Sequence, residues 1–339
     1  MATTRADLAR PACATEPEAL IAQLRQQLRA SLPEAAGPLA RAAEHAVSGT
    51  GKLLRPLLVL DACLAVGGDP ERVLPAAVGT EYGHIASLVH DDIIDGDAQR
   101  RDRPAVHAQY GLPLAILIGD FLVFETFLCY SQCAERGAGA ERTLAAIRTL
   151  SRTCLDLCRG QALEAALAGD PDVSEATYRE LIRLKTASVC RAAAEIGACL
   201  GGGSAEAIAA LAAYGEALGL AFQIVDDVLC YEGSANQLGK PAESDLRNGR
   251  VTLPLVYALR DSPSVRRAVL ALLARAASEP AAAHARVTDL LRTSGALARA
   301  RARAEEYTHA AKRQLDKLPP TAARERLRAR ADELLRRRR

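Results

Sequence analysis

The chain has 339 residues, enough for one large domain or two ordinary ones, and its 49% hydrophobic and 25% charged content is that of a globular protein. Its 43 Lys and Arg nearly cancel 41 Asp and Glu, so the formal charge of +2 gives no reason to expect a nucleic-acid partner. Aromatics make up 4% and Trp is absent, while Ala and Leu dominate, which predicts a helical core packed through small side chains. Nine Cys are scattered without paired Cys-x-x-Cys motifs, which excludes a zinc site or a disulfide framework and predicts reduced thiols in a cytoplasmic protein. No apolar run reaches the roughly 18 residues of a membrane span. Arg5, Asp7, Arg10 and Glu16 rule out a signal peptide. Lys is rare, at positions 52, 185, 240, 312 and 317 only, which marks these as places where a compact ammonium does something Arg cannot.

In chain order, residues 1–16 read as a leader and residues 336–339 as a basic tail, with a single domain over 17–335 between them. Leu20, Leu24 and Leu28 predict an amphipathic helix from Pro17 to about His45. Ser48 to Gly51 breaks it, and Lys52-Leu-Leu-Arg-Pro56 opens an apolar helix through Val66. After a turn at Gly67–Pro70, a helix from about Pro75 ends in Asp91, Asp92 and Asp95. On a helical wheel Asp91 and Asp95 fall within about 20° of His84. Two carboxylates on one side make a claw suited to a hard cation such as Mg²⁺. A solvated acidic helix end is the plainer reading, but Arg100 and Arg101 follow closely, and acid beside base on an apolar segment points to a metal–diphosphate site.

Residues 96–113 read as a loop over that site. Helices are expected at about 115–135, 141–168, 174–200 and 205–231. A second long loop over 228–250 precedes helices at 252–260, 263–277, 281–293, 295–315 and 321–336. No stretch alternates long enough to predict a strand. The fold class is therefore all-α. Asp226 and Asp227 end a second apolar helix, Phe222-Gln-Ile-Val-Asp-Asp-Val-Leu-Cys230. Two such ends facing across a cavity can hold several Mg²⁺ around one polyphosphate.

These motifs, with Gly51-Lys-Leu-Leu-Arg-Pro56, Gly119-Asp120, Gly160-Gln161, Lys185-Thr-Ala187, Gly239-Lys240 and Asp245-Leu-x-x-Gly-x-Val-Thr-Leu-Pro254, stand in the order found in trans-type isoprenyl diphosphate synthases, which the chain resembles from about residue 48 onward. The resemblance implies one helical domain around a central cavity, usually a homodimer. It also implies head-to-tail condensation of isopentenyl diphosphate with an allylic diphosphate. Asp91, Asp95 and Asp226 are then expected to hold Mg²⁺, three ions when substrate is bound. Arg100, Lys185 and Lys240 are expected at the allylic diphosphate, with Thr186 and Gln223 lining the same site. Lys52, Arg55, His84 and Arg101 are expected at isopentenyl diphosphate, and Asp92 and Asp227 behind the metal ligands. The released diphosphate takes the proton, so no protein base is required. Ordinary surface charge for Lys52 and Arg55, core packing for His84 and helix packing for Thr186 and Gln161 are the plainer alternatives.

Four positions depart from the family pattern. Leu53 stands in place of a basic residue, Asp102 in place of Gly, Arg250 in place of Lys at what is expected to be an exposed diphosphate contact, and Cys230 in place of the second motif's third Asp. A thiol is a poor Mg²⁺ partner, so Cys230 predicts weakened metal affinity. Thr80, Gly83, Ala86 and Ser87 precede Asp91 without an aromatic plug, which predicts a medium-to-long polyprenyl product, with geranylgeranyl or farnesyl diphosphate as the alternative. Phe121, Phe124 and Phe127 form a stripe that is either core, dimer interface or cavity floor. A terpene cyclase or a non-catalytic partner subunit on the same scaffold are the competing functions.

Overall fold

The computed structural model describes residues 17–30, 37–49, 51–101, 103–232, 244–276 and 278–336. Residues 1–16 and 337–339, Asp102, Gly239 and Lys240 lie outside the described residues. Helices α1 (Pro17–Ala30), α2 (Pro38–Ser48), α3 (Leu54–Ala65) and α4 (Pro70–Asp95) come first. They are followed by α5 (Val106–Tyr110), α6 (Leu112–Cys133), α7 (Ala140–Leu167), α8 (Glu175–Ile182), α9 (Ser188–Leu200) and α10 (Ala205–Glu232). Further helices span Ser244–Arg247, Leu253–Leu259, Pro263–Leu273, Pro280–Thr293, Ala296–Leu315 and Ala322–Arg336.

The boundaries follow from local chemistry. In α4 the Asp69 carboxylate accepts from the Glu71 backbone N at 3.0 Å and Pro70 takes the first turn, so the helix begins one turn before the expected Pro75. It ends at Gly96, which adopts φ +67° and donates to the Asp92 carbonyl. The single helix expected over 17–45 is instead two, α1 and α2. Leu20, Leu24 and Leu28 of α1 are fully buried, as their four-residue spacing requires. The segment expected as one helix over 174–200 is a continuous rod of α8 and α9 joined by a π-helical turn, Arg183–Ala187. The one strand pairing among the described residues is a hairpin in the loop after α4, where Gln99–Arg100 (β1) pairs antiparallel with Arg103–Pro104 (β2). Two residues per strand are too few to show alternation in sequence.

The core lies between α3, α4, α6, α7, α9 and α10, which pack side by side. The last helix closes it. Asp61 on α3, 1% exposed, accepts from Arg326 Nε at 2.7 Å and from Arg330 at 2.9 Å, and the Tyr214 hydroxyl of α10 donates to the Leu327 carbonyl at 2.7 Å. A buried carboxylate held by two guanidiniums is fully satisfied. One expectation needs correcting: Leu112–Ala138 and Ala205–Glu232 are long and apolar enough, at mean hydropathy 2.0 and 1.6, to cross a membrane. The second is a core helix, largely covered by α9 and Ala296–Leu315.

Candidate active site

The three aspartates at the end of α4 take three different partners. Asp92, buried, accepts from Arg100 Nε at 2.6 Å, which ties the β1–β2 hairpin to the helix end. Asp95 accepts from Arg250 at 2.5 Å. Asp91 is half-buried, and desolvation pushes its carboxyl above the ordinary range; the Lys185 ammonium opposes that, while Asp95 and Glu164 add to it. Lys185 sits on the π-helical turn and pairs with Glu164 of α7. A side chain at Gly160 would place Cβ 2.9 Å from the Lys185 backbone N, so only glycine lets α7 approach the turn closely enough for this pair.

The opposite wall is α10. Thr186 Oγ1 donates to Gln223 Oε1 at 2.8 Å, and Gln223 Nε2 donates to Asp227 Oδ1 at 2.9 Å. Asp227 Oδ2 also accepts from the Tyr178 hydroxyl at 2.6 Å and from the Leu253 backbone N at 3.1 Å. Burial pushes the Asp227 carboxyl up to about 7 against the pull of these hydrogen bonds. With both oxygens engaged, Asp227 anchors the helix, while Asp226 beside it is half-buried. One turn on, the Cys230 thiol donates to Asp245 Oδ2 at 3.2 Å. Asp245 in turn pairs with Arg250 at 3.2 Å. The two acidic helix ends are thus joined through Asp95, Arg250, Asp245 and Cys230.

A second basic cluster borders a cavity beside the hairpin, lined by His45, Glu81, His84, Arg100 and Arg101 among others. Arg55 lies 3.2 Å from His84 Nε2, which accepts from it. Burial first, then Arg55, Arg101 and Arg100, hold the His84 imidazole well below its usual range, so it is neutral. Arg55 Nε is buried without a hydrogen-bond partner. Arg101, at φ +52°, donates to the Gly49 carbonyl. Lys52 is exposed nearby in sequence.

The polyprenyl synthetase family profile matches residues 37–290. The chain belongs to the polyprenyl synthetase family. It is 38% identical over 315 residues to the short chain isoprenyl diphosphate synthase of Methanothermobacter thermautotrophicus, covering 93% of this chain and 94% of that one. To the geranylfarnesyl diphosphate synthase of Aeropyrum pernix it is 36% identical, covering 84% and 89%. The polyprenyl synthase of Caulobacter crescentus, solved with calcium and isoprenyl diphosphate, superimposes with a TM-score of 0.87 at 33% identity, over 95% and 96% of the two chains. The enzyme is accordingly a prenyltransferase with the all-α isoprenoid synthase fold.

Within this synthetase one placement differs from the sequence reading. Arg250 is not exposed: its side chain is 18% accessible, and besides Asp95 and Asp245 it faces Glu164 at 3.8 Å. Arg100, expected at the allylic diphosphate, pairs with Asp92 at the end of α4 beside that site. Glu164 and Tyr178 were not expected in the site, and Asp245 was named in a motif without a role. Glu164 lies one turn after Gly160, on the face that meets Lys185, and that spacing was a usable signal. Tyr178 left none.

The donors fit a hard divalent cation. Among the described residues no three His, Cys, Asp or Glu side chains form a ready-made metal cluster. Mg²⁺ typically takes one or two carboxylates and fills its shell with phosphate and water oxygens, so carboxylates on facing helix ends are a suitable set. The Arg250 guanidinium between Asp95 and Asp245 shows that this place attracts a cation.

Proposed function

We propose that the enzyme condenses isopentenyl diphosphate head to tail with an allylic diphosphate, in a Mg²⁺-dependent reaction, to give a medium-to-long (E)-polyprenyl diphosphate. The observation that carries this is the joining of both acidic helix ends by one chain of ion pairs and a thiol hydrogen bond, beside a separate basic cluster. Asp91, Asp95 and Asp226 would hold the metal, three ions with substrate, and bound Mg²⁺ would neutralise the departing diphosphate. Lys185 donates to that diphosphate from the π-helical turn, which Thr186 and Gln223 brace against α10. Arg55 and Arg101, with Lys52, hold isopentenyl diphosphate; neutral His84 orients Arg55 without adding charge. The released diphosphate accepts the proton.

For product length, Tyr82 points away, its hydroxyl donating to the Leu28 carbonyl at 2.7 Å. Phe124 is 71% exposed and does not floor the protomer's interior. A specific observation favours the shorter, geranylgeranyl reading: Thr80 Oγ1 and the Tyr130 hydroxyl meet at 2.8 Å. Thr80 lies three helical turns, about 16 Å, before Asp91 on the same face, where this pair joins α4 to α6. Chromatography of dephosphorylated products decides. Prenols longer than C20 support the first reading, and a C20 product that lengthens in Tyr130→Ala supports the second.

The exposed Leu117, Phe124 and Leu128 of α6, continued by Leu144 and Leu155 on α7, favour a homodimer formed through this face. Burial raises the Cys129 and Cys133 thiols to about 12 and about 11, which suits unreactive thiols in the cytoplasm.

A further inference from the structure

Arg250 stands at the junction of three elements. From Nη2 it donates to Asp95 of α4 at 2.5 Å, from Nη1 to Asp245 at 3.2 Å, and its Nε faces Glu164 of α7 at 3.8 Å. Its backbone is pinned: the Arg250 N donates to the Asp245 carbonyl at 2.8 Å, and the preceding Gly249 carbonyl accepts from Gly169 N at 2.9 Å. A planar guanidinium can reach three carboxylates at once, which an ammonium cannot do with the same geometry.

We propose that Arg250 is a latch that occupies the metal-binding side of Asp95 in the empty enzyme and releases it only when a diphosphate offers the guanidinium another partner. The inference rests on the reading of Asp91, Asp95 and Asp226 as the metal site. Asp95 Oδ2 already accepts from a guanidinium at 2.5 Å, so Mg²⁺ bound at about 2.0–2.1 Å to that oxygen would sit about 4 Å from a second cation and share a partly neutralised carboxylate. Metal and latch therefore oppose one another, and each weakens the other by the same factor. An arriving diphosphate gives Arg250 a bidentate anionic partner and frees Asp95. Metal loading is thereby coupled to substrate arrival, and the substrate-free enzyme binds metal more weakly.

The test is Mn²⁺ binding to the full-length, substrate-free protein, read by electron paramagnetic resonance. Arg250→Gln should lower the Mn²⁺ Kd about tenfold, the equivalent of one charge-assisted bond. Arg250→Lys should fall between, and it carries the test if the glutamine variant does not fold. Arg247→Gln removes a nearby positive charge that pairs with Asp97 at 3.8 Å, and should change the Kd less than about twofold. Inorganic diphosphate should tighten Mn²⁺ binding in the parent more than in Arg250→Gln. Equal, measurable affinities for parent and Arg250→Gln would overturn the latch alone, as would an equal gain in Arg247→Gln. No bound Mn²⁺ in any variant, even with diphosphate, would overturn the metal site and the latch with it.

Discussion

Cys230→Asp, which restores the acidic side chain of the family pattern, should destabilise the metal-free enzyme. The thiol is 6% exposed and donates to Asp245 Oδ2 at 3.2 Å. A carboxylate there would face a second, buried carboxylate with no proton between them. Two charges at 4 Å repel by about 4 kcal/mol at an effective dielectric of 20. Taking up a proton at pH 7 instead costs a group with an ordinary pKa near 4 about 4 kcal/mol as well. Arg250, already 3.2 Å from the other Asp245 oxygen, offsets part of this, so about 2 kcal/mol is expected. For a chain of this length that is a fall in Tm of about 3 °C. Like-charge repulsion raises the carboxyl's folded pKa above its unfolded value, so the loss appears as pH rises through the folded value and is absent below the unfolded one. Scanning calorimetry in chelator at pH 7.5 and pH 5 reads it directly. A variant as stable as the parent at pH 7.5 would refute the reasoning, because the Cys230–Asp245 contact would then be energetically silent.

Three further outcomes follow from the site. Asp227, raised by burial to about 7, contributes stability that is full below about pH 4 and lost as pH rises through 7, at most about 4 kcal/mol; metal-free denaturant melts of Asp227→Asn should show a flatter profile over that window. Lys185→Met removes the cation that opposes the raised Asp91 carboxyl and pairs with Glu164, so kcat should fall about 10²–10³-fold in steady-state assays. Gly119→Ala would set Cβ 2.0 Å from His90 Nε2, costing about 1–3 kcal/mol in a thermal melt, and adding His90→Ala should recover most of it.

Much of this was legible in the sequence because it is local. The apolar runs place α3, α4 and α10, and the aspartates fall in the last two turns of α4 and α10 by their own motif. What escaped was long-range or too short to carry a pattern. Arg250 and Asp95 are 155 residues apart, and nothing in either neighbourhood announces the pair. The π-helical turn carrying Lys185 keeps buried residues at Leu184 and Ala187, a spacing shared with an ordinary helix. Phe121, Phe124 and Phe127 share a stripe, yet the structure leaves Phe124 exposed, which only packing against α4 decides. The Arg100–Asp92 pair depends on the hairpin folding back, which two-residue strands do not signal.

The most direct measurement is incorporation of labelled isopentenyl diphosphate with unlabelled farnesyl diphosphate by purified enzyme, with Mg²⁺ and with chelator, for the parent, Asp91→Asn and Asp226→Asn. The account predicts labelled polyprenyl diphosphate from the parent with Mg²⁺ only, and at least 100-fold less, by order of magnitude, from either variant. Unlabelled cyclic hydrocarbon, no turnover by the parent alone, or full activity in either variant would contradict it.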